Sequence, residues 1–154
     1  MKLPALLVSA LLTAPVLAAG IAVDNVWIRE PAPGQSVLAG FMDITSDRDA
    51  SLTQASSPAF GKIELHEMKM QGDVMQMREI DKLDLPKGKT VKLAPGGLHL
   101  MLYGPKNTLR VGDKVPLTLV IDSGGKAEKL ETTAEVRSRL APAQAPRHGP
   151  MPGH

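Results

Sequence analysis

The chain has 154 residues, a formal net charge of +2, eight methionines and no cysteine. A nearly balanced charge without a basic run, and only four Trp, Tyr and Phe residues in total, exclude the basic, aromatic-bearing surfaces typical of nucleic-acid binding. The lack of cysteine excludes disulfides and the thiolate copper site of electron-transfer cupredoxins.

The N-terminal residues 1–18 have the features of a signal peptide. Lys2 supplies a positive charge, and residues 5–16 are apolar but too short to span a bilayer comfortably. The small residue Ala18 favours cleavage directly after it, with Ala19 as the alternative cleavage position. Since no cysteine follows and no later segment is sufficiently apolar, we expect an exported, periplasmic protein without a membrane anchor.

Residues 19–140 predict one all-β domain. Short stretches of alternating polarity are separated by Gly, Pro, Asn and Asp, and no window keeps a 3.6-residue apolar period. This pattern favours a sandwich or barrel in which Trp27 packs in the core. The predicted strands are Val23–Arg29, Val37–Ile44, Ala50–Ser56, Lys62–Met70, Val74–Ile80, Thr90–Leu93, Leu98–Tyr103, Val115–Ile121 and Ala127–Val136.

The segment 62–80 predicts a hairpin with histidine and methionine on its outward face. A two-residue loop at Gln71-Gly72 would place His66 directly opposite Met77, with Cβ atoms about 4.5–5.5 Å apart. A loop centred on Gly72-Asp73 would shift the register and lose this pairing. Three interpretations fit the other methionines of the hairpin: they support the metal ligands, they form a hydrophobic rim that keeps water from the site, or they only pack the hairpin. These methionines are Met68, Met70 and Met75.

The strand Leu98–Tyr103 carries a second histidine and methionine. Its leucines alternate with His99, Met101 and Tyr103, so the leucines are expected in the core and His99 and Met101 on the opposite face. Imidazole and thioether donors without thiolate or carboxylate suit Cu(I), and methionine survives in an oxidising compartment. Spacing alone does not bring the two His/Met pairs together, and a single methionine is usually core filler.

The spacing His66-x10-Met77-x21-His99-x-Met101 resembles the metal motif of the periplasmic CuA-site copper chaperones, the PCuAC family. The resemblance covers roughly residues 22–137 and includes the flanking segments Val26-Trp27-Ile28-Arg29, His66-Glu67-Met68 and Leu93 to Met101. It implies a cupredoxin-like Greek-key β-sandwich that binds Cu(I) through these four side chains. It further implies copper supply to the CuA centre of cytochrome c oxidase, with the CuA-bearing subunit or a Sco-type thiol copper protein as partner.

Residues 141–154 form a tail with four prolines and two glycines, and this composition predicts disorder. His148, Met151 and His154 predict a second metal site, because a mobile His/carboxylate segment can wrap Cu(II). The alternative is a solvated tail with incidental histidines, or an expression remnant.

The sequence favours a monomeric metallochaperone over an enzyme. A copper monooxygenase would need a histidine at the mature N-terminus, where Ala19 or Gly20 is expected, and the hydrolase motifs G-x-S-x-G and H-E-x-x-H are missing. Two alternatives stay open at this point. A periplasmic copper-sequestering storage or resistance protein would use the same ligands, and a purely structural sandwich would use none.

Overall fold

The computed structural model describes residues 17–18 and 20–139. Most of the expected signal peptide and the whole of the expected tail, including His148, Met151 and His154, lie outside the described residues. The prediction of an all-β fold is confirmed, because the described residues form strands and turns and contain no helix. In this part of the chain there is accordingly no helix capable of crossing a bilayer.

Eleven strands make up the fold. In chain order they are β1 (Leu17–Ala18), β2 (Ile21–Arg29), β3 (Val37–Ser46), β4 (Ala50–Ser56), β5 (Phe60–Gln71), β6 (Val74–Glu79), β7 (Leu83–Leu85), β8 (Thr90–Leu93), β9 (His99–Pro105), β10 (Lys114–Ser123) and β11 (Lys126–Arg137).

The strands hydrogen-bond in the order β6-β5-β9-β3-β2-β11-β10-β4-β7, with β1 added to β2 and β8 added to β3. Strand β3 holds two partners on one side: Val37–Gly40 pairs with β9, and Met42–Thr45 pairs with β8. Strands β2 and β11 are parallel, whereas the other described pairings are antiparallel. Several consecutive strands are therefore not neighbours in the sheet, as expected for Greek-key connectivity.

One apolar core lies between the inward faces of the folded sheet. In β10 every second residue from Val115 to Ile121 is buried, as a half-exposed strand requires. In β9 the inward residues Leu100 and Leu102 are fully buried, and they meet side chains from β3, β10 and β11 in the same cluster. The histidine and methionine of β9 consequently project from the opposite, outer face.

The structure corrects two details of the sequence-based description. Trp27 was expected in the core, but a bulge at Asn25, where φ is +51°, shifts the register of β2. Val26 and Ile28 then face the core, and Trp27 is half-buried on the outer face, where its ring lies 4.5 Å from that of Phe41. Strand β7 was missed because it is only three residues long.

Truncation of a core side chain should destabilise the domain strongly. Leu119 in β10 is fully buried, so Leu119→Ala should lower the free energy of unfolding by about 2–5 kcal/mol through lost burial and a residual cavity. Denaturant unfolding measures this difference. The control is Val111→Ala, because Val111 is exposed and its truncation should change stability by less than about 0.5 kcal/mol. Equal effects of the two variants would contradict the assigned core.

Candidate metal centre

The hairpin of β5 and β6 has a different register from the one expected for a Gln71-Gly72 loop. The loop consists of Gly72 and Asp73, so His66 faces Glu79 rather than Met77. Gly72 adopts a φ of +62° at the first loop position, where a type II′ turn requires positive φ and therefore favours glycine. Met77 remains on the face of His66, but as its diagonal neighbour.

Strand β5 also pairs with β9, and this pairing joins the two histidines. His66 lies directly opposite His99, and their ring centroids are 5.8 Å apart. The next outward pair along the same strands is Glu64 opposite Met101. The two His-bearing segments, which are remote in sequence, thus share one outer surface of the sheet.

His99 presents a free nitrogen lone pair to Met77. Its Nδ1–H donates to the carbonyl of Gly97 at 2.8 Å, which leaves Nε2 of the neutral ring without a proton. Nε2 lies 3.0 Å from Sδ of Met77. Two electron-pair donors therefore converge with no proton between them, and a soft cation bound by both would satisfy them. His99 itself is only 7% exposed, so water has little access to its ring.

His66 is oriented by a carboxylate. Its Nε2–H donates to Oε2 of Glu64 at 2.8 Å, so the lone pair of the neutral ring is on Nδ1. Nδ1 is buried and has no hydrogen-bond partner among the described residues. A buried, unsatisfied nitrogen is costly unless it binds something, and a carboxylate on the opposite ring nitrogen is the usual support of a metal-binding histidine.

Met101 is positioned by the register of β9. It is half-buried on the outer face of β9, two residues after His99, and lies between Glu64 of β5 and Ala39 of β3. The structure thus brings together His66, Met77 and His99, with Met101 beside them on the same face. No cluster of three or more His, Cys, Asp or Glu suited to a metal exists within residues 17–18 and 20–139.

Glu64 was missed by sequence reasoning. Oε1 of Glu64 lies 2.5 Å from Nζ of Lys62, and this hydrogen bond, followed by that from His66, lowers the pKa of the Glu64 carboxyl to about 2. Burial, together with the neighbouring Glu64, raises the pKa of Tyr103 on the adjacent strand. The alternation that placed His66 on the outer face also places Glu64 there, so the signal was present in the sequence.

The family model for LpqE-like proteins matches residues 21–136, three quarters of the chain. The chain belongs to the LpqE-like family. This is the PCuAC family, so the resemblance drawn from the sequence is confirmed. One relative, the Leifsonia xyli protein designated "Putative lipoprotein Lxx21020", is 32% identical over 106 residues, which cover 68% of this chain and 64% of that protein. The chain thus spans somewhat less than two thirds of this relative's length.

Solved PCuAC domains share the fold. The copper-bound PCuAC domain of PmoF2 aligns with a TM-score of 0.64 and 25% identity, covering 79% of this chain and 96% of that domain. Apo-DR1885 from Deinococcus radiodurans aligns with a TM-score of 0.60 and 26% identity, covering 91% and 93%. The cupredoxin-like sandwich expected from the sequence is therefore confirmed.

The hydrogen bonds that Lys62 and His66 donate to the Glu64 carboxylate should make the stability of the apo protein sensitive to acid. Because the pKa of Glu64 is lowered in the folded state from 4.5 to about 2, its contribution is present above pH 4.5 and lost as the pH falls towards 2. Glu64→Gln should remove this contribution, so the stability difference between wild type and variant should shrink over that range. Denaturant unfolding at several pH values measures it.

The control for removal of one negative charge is Glu131→Gln, at an exposed glutamate of β11. A difference between wild type and Glu64→Gln that stays constant from pH 5 to pH 2 would contradict the assigned role of the Glu64 carboxylate in apo-protein stability.

Proposed function

We propose that this protein is a periplasmic copper metallochaperone that holds Cu(I) through His66, Met77, His99 and Met101. One observation carries the proposal: Nε2 of His99 lies 3.0 Å from the sulfur of Met77, and the ring of His66, whose buried Nδ1 has no hydrogen-bond partner among the described residues, lies 5.8 Å from the ring of His99 between centroids. Both nitrogens and both sulfurs are neutral donors. They stabilise a soft monovalent ion without adding negative charge, which would favour Cu(II) instead.

The relatives support copper as the cargo. The PCuAC domain of PmoF2 has been solved with copper, and DR1885 has been solved with Cu(I). The lipoprotein designation of the Leifsonia relative supports export, in agreement with the signal peptide expected in residues 1–18. We infer a binding and delivery role, because the solved relatives are copper-binding domains.

The exposure of Met77 supports delivery over storage. Its side chain is 49% exposed, whereas His99 is buried, so an incoming ligand could approach the ion from the methionine side. Thiolate binds Cu(I) more strongly than thioether, which would drive transfer to a Cys-bearing acceptor by ligand exchange. We propose the CuA-bearing subunit of cytochrome c oxidase, directly or through a Sco-type thiol protein, as that acceptor. A storage protein would retain its copper when mixed with apo acceptor.

Substitution of His99 or Met101 should weaken Cu(I) binding. His99→Ala removes a nitrogen donor. Met101→Leu removes a sulfur donor and keeps a side chain of similar volume. Each substitution should lower the Cu(I) affinity by at least about tenfold. Competition with a chromophoric Cu(I) chelator measures the affinities. The matched control is Met42→Leu, which changes a fully buried core methionine and should leave the affinity unchanged. Wild-type affinity in both ligand variants would refute the assignment.

The segment 141–154, whose residues lie outside the described structure, is proposed from its sequence alone to bind Cu(II). Deleting it should abolish or greatly weaken Cu(II) binding and leave Cu(I) binding by the β-domain intact, because His148 and His154 supply the nitrogen donors that Cu(II) prefers. Paramagnetic resonance during Cu(II) titration of both forms measures this. Unchanged Cu(II) uptake after truncation would show that the segment is not a ligand source.

A further inference from the structure

The β5–β6 hairpin exposes an unusual amount of apolar side chain. Of the five large hydrophobic residues that are exposed in the described part of the chain, four belong to this hairpin. Three of those four are methionines: Met70 is 57% exposed, Met75 47% and Met77 49%. Packing against the core does not explain their presence.

Together with Met68, these three methionines form two cross-strand pairs on one face of the hairpin. Met68 faces Met77, and Met70 faces Met75 nearer the loop, with the pair Lys69–Gln76 between them on the other face. Since side chains two apart on a strand share a face, all four lie on the face that carries His66. We call Met68, Met70 and Met75 the methionine ladder; Met77, at its inner end, contacts His99.

The opposite face of the hairpin is charged. There Glu67 Oε1 pairs with Nε of Arg78 at 2.5 Å, and Lys69 faces Gln76. The hairpin is thus two-faced, with all of its sulfur on one side. A strand that needed only apolar character would favour β-branched or aromatic residues, because methionine is flexible and has no particular preference for strands.

The geometry allows three sulfurs to converge. Directly opposed residues have Cβ atoms about 4.5–5.5 Å apart and diagonal neighbours lie about 7–8 Å apart, within reach of long side chains. Met68 and Met75 are diagonal neighbours, and Met70 lies opposite Met75. Three rotatable bonds in each side chain let the thioethers turn towards one point.

We propose that the methionine ladder binds a second soft monovalent cation, Cu(I) or its analogue Ag(I), through the sulfurs of Met68, Met70 and Met75. Neutral thioethers select a soft ion over Mg²⁺, Ca²⁺ or Zn²⁺, because those ions prefer oxygen, nitrogen or thiolate donors. Binding releases no proton and leaves the oxidation state of the ion unchanged. This site goes beyond the proposed function, since its ligands do not include either histidine.

The test compares Ag(I) binding by the full chain and by variants. Ag(I) is the probe because it has the soft donor preference of Cu(I) without its oxidation to a divalent ion. Native mass spectrometry should give two bound Ag(I) ions for wild type and one for the double variant Met70→Leu/Met75→Leu. In protein with ¹³C-labelled methionine methyls, the Met70 and Met75 signals should shift with the second equivalent.

Matched variants separate the ladder site from the inner site, which is the proposed Cu(I) site at His66, Met77, His99 and Met101. Val74→Leu changes one exposed apolar residue of the same hairpin into another and removes no methionine, so this variant should still bind two ions. His99→Ala should lose the ion of the inner site and keep the ladder ion, so failure of the proposed function and failure of the ladder give different patterns. Circular dichroism confirms that each variant folds.

Two outcomes would overturn the ladder site. One is retention of two Ag(I) ions by Met70→Leu/Met75→Leu. The other is a wild type that takes up a single ion while the Met70 and Met75 methyl signals stay in place, in which case the exposed methionines are an apolar surface and not ligands.

Discussion

The pairing of β5 with β9 is the constraint on which the site depends. It places His66 opposite His99, and the same register places Leu65 opposite Leu100 on the core side. A slip of β5 by one residue would turn His66 into the core and Leu65 to the outside, and a slip of β9 would do the same to His99 and Leu100, because side chains alternate along a strand. The burial of Leu65, Leu100 and Leu102 therefore fixes the imidazoles, without any help from a metal.

Sequence alternation predicted which face each candidate ligand occupies. For β9 it assigned leucines to the core and His99 and Met101 to the outer face, and the structure agrees. It could not supply the partner of β9, because the contact between residues 66 and 99 is non-local and no local pattern encodes it. The resemblance to PCuAC proteins filled that gap by implying that the four residues form one set.

The hairpin register shows how a single backbone angle decides a pairing. Both loops considered from the sequence contain Gly72, but only one puts it at the first loop position, where it takes a φ of +62°. The choice determines whether Met77 faces His66 or Met68. Glu64 is a different case: alternation along β5 places it on the face of His66, but alternation does not show that its carboxylate accepts a hydrogen bond from that imidazole.

The position of β6 has a consequence for the lifetime of a bound ion. This strand is at the edge of the sheet, bonds only to β5, and has every side chain exposed. Edge segments with few buried contacts open locally far more often than the whole domain unfolds. In the proposed function Met77 would leave with the edge strand, while the core held both imidazoles in place. The residence time of copper would then depend on how often β6 separates from β5. Substitutions in the Gly72-Asp73 loop would change that residence time and leave the thermal stability of the domain largely unaltered.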